Sequence, residues 1–351
     1  MVALPSISIV IPSFNQGSYI ERTILSILKQ DYEGEVEIIV SDGGSKDETV
    51  EVLKKYPQIK WWSEPDEGFV DAVTKGFSAA KGEILAIQSS DDFYLKDAFK
   101  VSIQPLIEQP DLSIIAGCDL YLQADRKTYS ASKLDEHFIS PYSLLRKRNI
   151  SQHCCFFRKD VLEKVGGLRK EVDTCADVDF WYRALHFFKA KFIPVYTAVY
   201  QLHPAQRTQN LDNWTESFIK MIELCEYDPK YAERFKFEEE EKQYLYIQFE
   251  LVCGYNTGSR KQDKEYALQK INLILQDPDY SDSIKKMVRE FGINYGITES
   301  QKNSLFNKFT ASLKDGTLAK KATNKMGRIL GTMPQPASNL TQIDIDWWQK
   351  D

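Results

Sequence analysis

The chain has 351 residues, 42% of them hydrophobic and 27% charged, with a formal net charge of -6. That is globular composition able to build a sizeable core, and the length exceeds one average domain. The acidic balance argues against a general nucleic-acid partner, and no apolar run is long enough to span a bilayer.

The cysteines Cys118, Cys154, Cys155, Cys175, Cys225 and Cys253 show no Cys-x-x-Cys pairing. Scattered in this way, they suit reduced, buried thiols and a cytoplasmic setting. Residues 1–6 carry no basic n-region and lead straight into a strand, so no signal peptide is expected.

In chain order, residues 7–12 read as a first strand, rich in β-branched side chains and closed by Pro12. A turn at 13–17 leads into a helix at 19–30, with Ile20, Ile24, Ile27 and Leu28 at helical spacing. A second strand at 36–40 ends at Asp42-Gly43-Gly44-Ser45, followed by a helix at 47–56 and a strand at 59–63. Strand, helix and strand at this rhythm predict a parallel sheet with crossovers. The first strand-to-helix turn lacks Gly-x-Gly-x-x-Gly, and no Gly-Lys-Ser/Thr occurs, which excludes the dinucleotide fingerprint and the Walker phosphate loop. Asp42, at a strand's carboxyl end, could accept a hydrogen bond from a base N–H; a plain Asp-Gly turn is the alternative.

A loop at 64–68 and a helix at 70–80 closed by Gly82 come next. Residues 84–87 form an apolar run that reads as a strand buried on both faces, and it ends in Ser89-Ser90-Asp91-Asp92. Ligands of open α/β sheets bind outside the carboxyl ends of the strands. Adjacent carboxylates there are hard oxygen ligands suited to Mg²⁺ or Mn²⁺ carrying a phosphate; the competing reading is a helix N-cap. A helix at 95–109, a strand at 112–122, a hairpin or loop at 123–129 and a short helix at 141–147 with a basic end at 146–148 follow. Then come an apolar strand at 152–157, with His153 read as packing, and a helix at 161–167. Asp177 and Asp179 enter a helix start, where acids ordinarily answer the macrodipole. A strand at 192–202 runs into His203-Pro204-Ala205-Gln206-Arg207.

Four stretches in order, Ile9 through Asn15, Val40 through Asp47, Glu64 through Gly68, and Lys81 through Asp92, resemble the donor-binding half of glycosyltransferase family 2, with the A-type nucleotide-diphospho-sugar transferase fold. The resemblance covers about residues 6–208. It implies that Pro12, Asn15 and Asp42 line the nucleoside pocket, and that Asp91 and Asp92 fall in the family's Asp-x-Asp region and hold Mn²⁺ or Mg²⁺. Ser89 stands where the family often has a further Asp, leaving two carboxylates instead of three. The resemblance also points to Asp177 as general base with Asp179 second, although the usual Glu-Asp pair is Ala176-Asp177 here. His203 could reach the metal and Arg207 the diphosphate.

Residues 209–351 read mainly as helices, with an acidic run at 238–241. Residues 317–330 are amphipathic, setting Leu318, Ala322, Met326 and Ile329 against Lys320, Lys321, Lys325 and Arg328. Such a helix either lies on an anionic membrane or covers the catalytic domain.

The expected architecture is α/β: a Rossmann-like mixed, mainly parallel sheet flanked by helices over residues 1–209, with a helical C-terminal extension over 210–351. The expected activity is that of an inverting glycosyltransferase. It would move sugar from a nucleotide-diphospho-sugar donor to a glycan or lipid-linked hydroxyl acceptor, without nucleic acid, in the cytoplasm or peripherally at a membrane. A nucleotidyltransferase making sugar nucleotides, which would carry a basic Gly-rich turn after the first strand, and a non-catalytic sugar-nucleotide or glycan binder are the alternatives.

Overall fold

The computed structural model describes residues 4–122, 128–130, 137–139, 144, 150–203, 212–230, 242–243, 247, 264–294 and 347–349. The chain divides into two compact units, residues 1–206 together with 336–351, and residues 207–335.

The first unit is built on one sheet. Its strands are β1 (Ile7–Ser13), β2 (Val36–Asp42), β3 (Lys60–Ser63), β4 (Ile84–Ile87), β5 (Phe93–Tyr94), β6 (Leu112–Leu122), β7 (Thr128–Ser130), β8 (His137–Ile139), β9 (Cys155–Arg158) and β10 (Lys189–Gln201). They lie in the order β3-β2-β1-β4-β9-β6-β10-β5, with β7 paired to β6 and β8 to β10. The pairs β1–β2, β1–β4 and β2–β3 are parallel, as is β6–β10. β9 runs against both β4 and β6. The expected mixed, mainly parallel α/β sheet is therefore present.

Alternation along β1 assigns the two faces. Ile7, Ile9 and Ile11 pack with Ile20, Ile24 and Ile27 of helix Ile20–Leu28, with Val52 and Leu53 of helix Thr49–Leu53, and with Phe99, Ile103 and Leu106 of helix Ala98–Glu108. Val10 points the other way, toward helix Phe69–Ala79. There Gly76 permits close approach: a Cβ at that position would meet Val10 Cγ1 at 2.3 Å. On this face Phe77 meets Phe157 edge-on at 5.9 Å, and Phe157 meets Phe180 and Trp181 at 5.4 and 5.3 Å. Those last two rings bring in helix Ala176–Leu185. With helices on both faces, β1 and β4 are buried at every position and do not alternate between buried and exposed.

Two elements differ from expectation. Residues 152–157 are not one strand: Gln152–Cys154 is a 3-10 turn and only Cys155–Arg158 pairs. The turn places His153 between two buried acids, which an extended segment in the ladder would not do. The helix expected at 47–56 narrows to Thr49–Leu53 because Asp47 ties off its start, accepting from the backbone N–H groups of Gly17 and Thr49 at 2.9 and 3.0 Å.

In the second unit, Ala267, Ile271 and Ile274 of helix Lys264–Gln276 pack against Ile284, Met287 and Val288 of helix Asp282–Asn294. Helix Asp212–Tyr227 buries Phe218, Met221, Ile222 and Cys225. Among the described residues, no helix is long and apolar enough to cross a membrane, and Cys118, Cys154, Cys155, Cys175 and Cys225 are buried. Arg207, the acidic run at 238–241, the amphipathic segment at 317–330 and most of 141–148 lie outside the described residues.

Candidate active site

The carboxyl ends of β1, β2 and β4 lie on one edge of the sheet because these strands are parallel. Between β1 and β2 the two turns are woven together. Gly43 N–H donates to the Ser13 carbonyl at 2.8 Å. Asn15 N–H donates to Ser45 Oγ at 2.6 Å, and Lys46 N–H donates to Asn15 Oδ1 at 2.9 Å. Asn15 sits at φ 54°, a left-handed conformation that asparagine tolerates better than most residues. Burial opposes ionisation of Asp47, but hydrogen bonds from Thr49 and Gly17 hold its carboxyl below the usual range.

Asp42 lies at the floor of this cradle and is only 1% exposed. Its Oδ1 accepts from Ser45 Oγ at 2.5 Å, and its Oδ2 accepts from Ser45 N–H at 2.9 Å and Ser63 Oγ at 2.6 Å. A carboxylate offers roughly four acceptor positions, so most are committed to holding the turn. Asp42 shapes the pocket first and has little left over for a ligand.

The Ser89–Asp92 turn separates its two acids. Asp91 Oδ2 lies 2.9 Å from His203 Nε2, with 15% of the Asp91 side chain exposed. Tyr19 stacks on the His203 ring at 4.5 Å. A carboxylate oxygen and an imidazole nitrogen at this spacing match neighbouring corners of an octahedron with bonds of about 2.1 Å. Among the described residues, no three His, Cys, Asp or Glu side chains form a metal-binding cluster of their own. Of the expected Asp91, Asp92 and His203 set, the structure brings together Asp91 and His203. Asp92 turns inward and is wholly buried. Its Oδ1 accepts from Gln201 N–H at 2.9 Å, while Oδ2 has no hydrogen-bond partner among the described residues. Burial pushes the Asp92 carboxyl up, to about 7, and the Asp91 charge adds to this against the pull of His153.

Beneath Asp92 lies a group that sequence reasoning missed. His153 Nδ1 is 3.7 Å from Asp92 Oδ2, and its Nε2 is 3.3 Å from Asp119 Oδ2. Ser151 Oγ donates to Asp119 Oδ2 at 2.9 Å, and Tyr200 stacks on the imidazole at 5.4 Å. Burial alone would depress the imidazole, yet Cys154, Asp119 and Asp92 carry it well above its ordinary value. Burial likewise works against Asp119, but the hydrogen bond and charge of His153 keep its carboxyl low. The available signal was Asp119 itself, an acid inside the otherwise apolar β6.

The downstream acids also part company. On a helix, residues two apart point about 200° from each other, so when Asp179 faces inward Asp177 faces out. Asp179 is fully buried. Arg169 Nε donates to both its oxygens at 3.1 and 3.0 Å, and Arg183 Nε donates to Oδ2 at 2.9 Å. Arg183 passes its other donors to the carbonyls of Val165 and Gly167 at 2.6 and 2.8 Å, closing the end of helix Lys159–Val165. Asp179, expected to take the second catalytic part, is held here by two arginines on both oxygens. Asp177 is half-buried, and its charge acts on Cys155 at the start of β9, after burial and Cys154 have pushed that thiol up. Because β9 runs against β4, with Leu85 opposite Phe157, that start lies level with the carboxyl end of β4. Asp177 opens helix Ala176–Leu185, which packs Phe180 and Trp181 on Phe157 of β9.

The pattern of the family described as Glycosyl transferase family 2 matches residues 8–166. An uncharacterized glycosyltransferase of Mycobacterium tuberculosis is 31% identical over 193 residues, covering 52% of this chain and 70% of that protein. The chain belongs to glycosyltransferase family 2. It is a glycosyltransferase, which sets aside the nucleotidyltransferase and binding-protein alternatives. Among solved structures, S. aureus TarS in complex with UDP-GlcNAc superposes with a TM-score of 0.56 at 16% identity, covering 77% of this chain and 79% of that one. The mannosyltransferase PcManGT from Pyrobaculum calidifontis, in complex with GDP-Man and Mn²⁺, gives 0.52 at 14% identity, covering 94% and 86%. Both share the A-type fold of this family 2 glycosyltransferase.

Proposed function

We propose that this family 2 glycosyltransferase is an inverting enzyme. It takes a nucleotide-diphospho-sugar donor at the β1, β2 and β4 edge and passes the sugar to a hydroxyl of a glycan or lipid-linked acceptor. The observation that carries the reading is the convergence, at the carboxyl ends of β1, β2 and β4, of the Asn15–Asp42 cradle and the Asp91–His203 pair. UDP-GlcNAc in TarS, and GDP-Man with Mn²⁺ in PcManGT, support a donor of this class.

Pro12 and Asn15, braced by the Asp42 turn, frame the nucleoside. Asp91 and His203 present oxygen and nitrogen donors suited to Mn²⁺ or Mg²⁺, and the bound ion would neutralise charge on the departing diphosphate. Arg207 is assigned to the diphosphate from the sequence. Asp177 takes the proton of the acceptor hydroxyl, and attack on the anomeric carbon from the side opposite the diphosphate inverts it.

The test is a thermal-shift screen of the purified chain with UDP, GDP, dTDP and CMP, each with and without Mn²⁺. One nucleoside diphosphate should raise Tm in a Mn²⁺-dependent way, since a ligand of the folded state stabilises it by mass action. Transfer of sugar from the matching donor should follow. A chain that responds to none of them with Mn²⁺ present does not bind this donor class.

A further inference from the structure

We propose that His153 is a positioning residue: wedged between Asp92 and Asp119, it holds the Asp91–His203 pair in the arrangement that receives the metal and the donor diphosphate. The inference rests on the metal reading above and extends it to groups that touch no ligand.

Asp92 and Asp119 are 0% and 4% exposed, and both face one imidazole that is itself 7% exposed. Two buried carboxylates without a cation between them repel each other in a medium that screens poorly. His153 lies between them, 3.7 Å from one and 3.3 Å from the other, so its presence lets both remain inside. Four segments meet here: the end of β4, the middle of β6, the turn before β9 and the end of β10.

Asp92 is joined to both halves of the outer pair. It is the neighbour of Asp91 in the chain, and its carbonyl accepts from Thr23 Oγ1 at 2.6 Å, fixing the turn on helix Ile20–Leu28. Its Oδ1 holds Gln201 N–H at 2.9 Å, two residues before His203. A shift of the Asp92 side chain therefore moves Asp91 from one side and His203 from the other. With an apolar side chain at 153, Asp92 Oδ2 would face Asp119 unshielded, and Asp92 would swing away, dragging its bond to Gln201. Partners that orient ligating side chains commonly affect metal affinity by about 10–100-fold when removed.

The test uses the whole chain and Mn²⁺ alone as probe, with affinity by calorimetry and Tm as the check on folding. Asp91→Asn should abolish Mn²⁺ binding. His153→Leu should weaken it about 10-fold or more, while His153→Gln, which keeps N–H donors for a carboxylate but no charge, should recover part of the affinity. A filler of the interior would instead lower Tm and leave Mn²⁺ affinity of the folded protein intact. Wild-type affinity in folded His153→Leu, with Asp91→Asn silent, overturns this inference and leaves the metal reading standing. Absence of Mn²⁺ binding in the wild type overturns both. Should His153→Leu fail to fold, Asp119→Asn, which strips His153 of its second partner, decides in its place: about a 10-fold loss supports the wedge, and wild-type affinity overturns it.

Discussion

The molecule carries two acid pairs, Asp91 with Asp92 and Asp177 with Asp179, and each pair divides in the same sense. The first acid of each keeps some exposure, and the second is wholly buried. The buried members then differ. Asp179 lies between Arg169 and Arg183 with its oxygens saturated. Asp92 has Gln201 N–H on one oxygen, and among the described residues no hydrogen-bond partner on the other, which faces His153. Burial with full ionic compensation makes a strut. Burial with partial compensation pushes the carboxyl toward its neutral form. Adjacent carboxylates in an acidic motif are thus not interchangeable, and exposure, compensation and partner together assign their work.

The largest expected effect separates the two acids of the downstream pair. Asp177→Asn should lower turnover by roughly 10²–10⁴-fold, with nucleotide binding and Tm near wild type. Near-normal transfer by that variant would return Asp177 to the part of an ordinary helix-start acid. Asp179→Ala should act the other way, on stability. It strands Arg183, 1% exposed, and should cost about 3–5 kcal/mol in urea unfolding. A stable Asp179→Ala that has lost only activity would reverse the assignment.

Asp42 tests whether a third buried acid behaves like Asp179. Removing it leaves the hydroxyls and amide of Ser45 and Ser63 without their acceptor, so Asp42→Ala should lose about 1–3 kcal/mol of stability together with nucleotide affinity. Affinity loss at unchanged stability would mean that Asp42 meets the base directly.

The smallest effect concerns pH and sharpens the contrast between Asp92 and Asp179. Burial lifts the Asp92 carboxyl from 3.8 to about 7, so the folded chain keeps a proton that the unfolded chain releases. Its contribution to stability is complete below about pH 4 and is lost as pH climbs toward 7, at most about 1.4 kcal/mol per unit, with His153 drawing that slope down. Asp92→Asn should therefore gain in Tm on the wild type between pH 4 and 7 and run parallel to it above. A constant difference across that range would show that His153 fully compensates Asp92, as the arginines do Asp179.

Much of this was legible in the chain. The strands ending at Asp42 and at Ser89–Asp92 were placed correctly because apolar runs and helical spacing are local signals. The four motifs in order carried the family. His153 reads as packing along the chain because its partner Asp119 lies on another strand, and nothing local marks two residues as neighbours across a sheet. Residues 152–157 read as a strand because Cys154, Cys155, Phe156 and Phe157 are apolar, while the turn at Gln152–Cys154 serves contacts that exist only after folding.

Periodicity, composition and motif order along the chain suffice for the order of elements, the sheet edge at which the parallel strands end, and the family. Which acid of each pair meets solvent is settled in three dimensions. That depends on what packs against the turn or helix: Arg169 and Arg183 draw Asp179 inside, while Gln201 and His153 draw in Asp92 and leave Asp91 to His203. Charges are placed by their neighbours in space, and those neighbours come from distant parts of the chain.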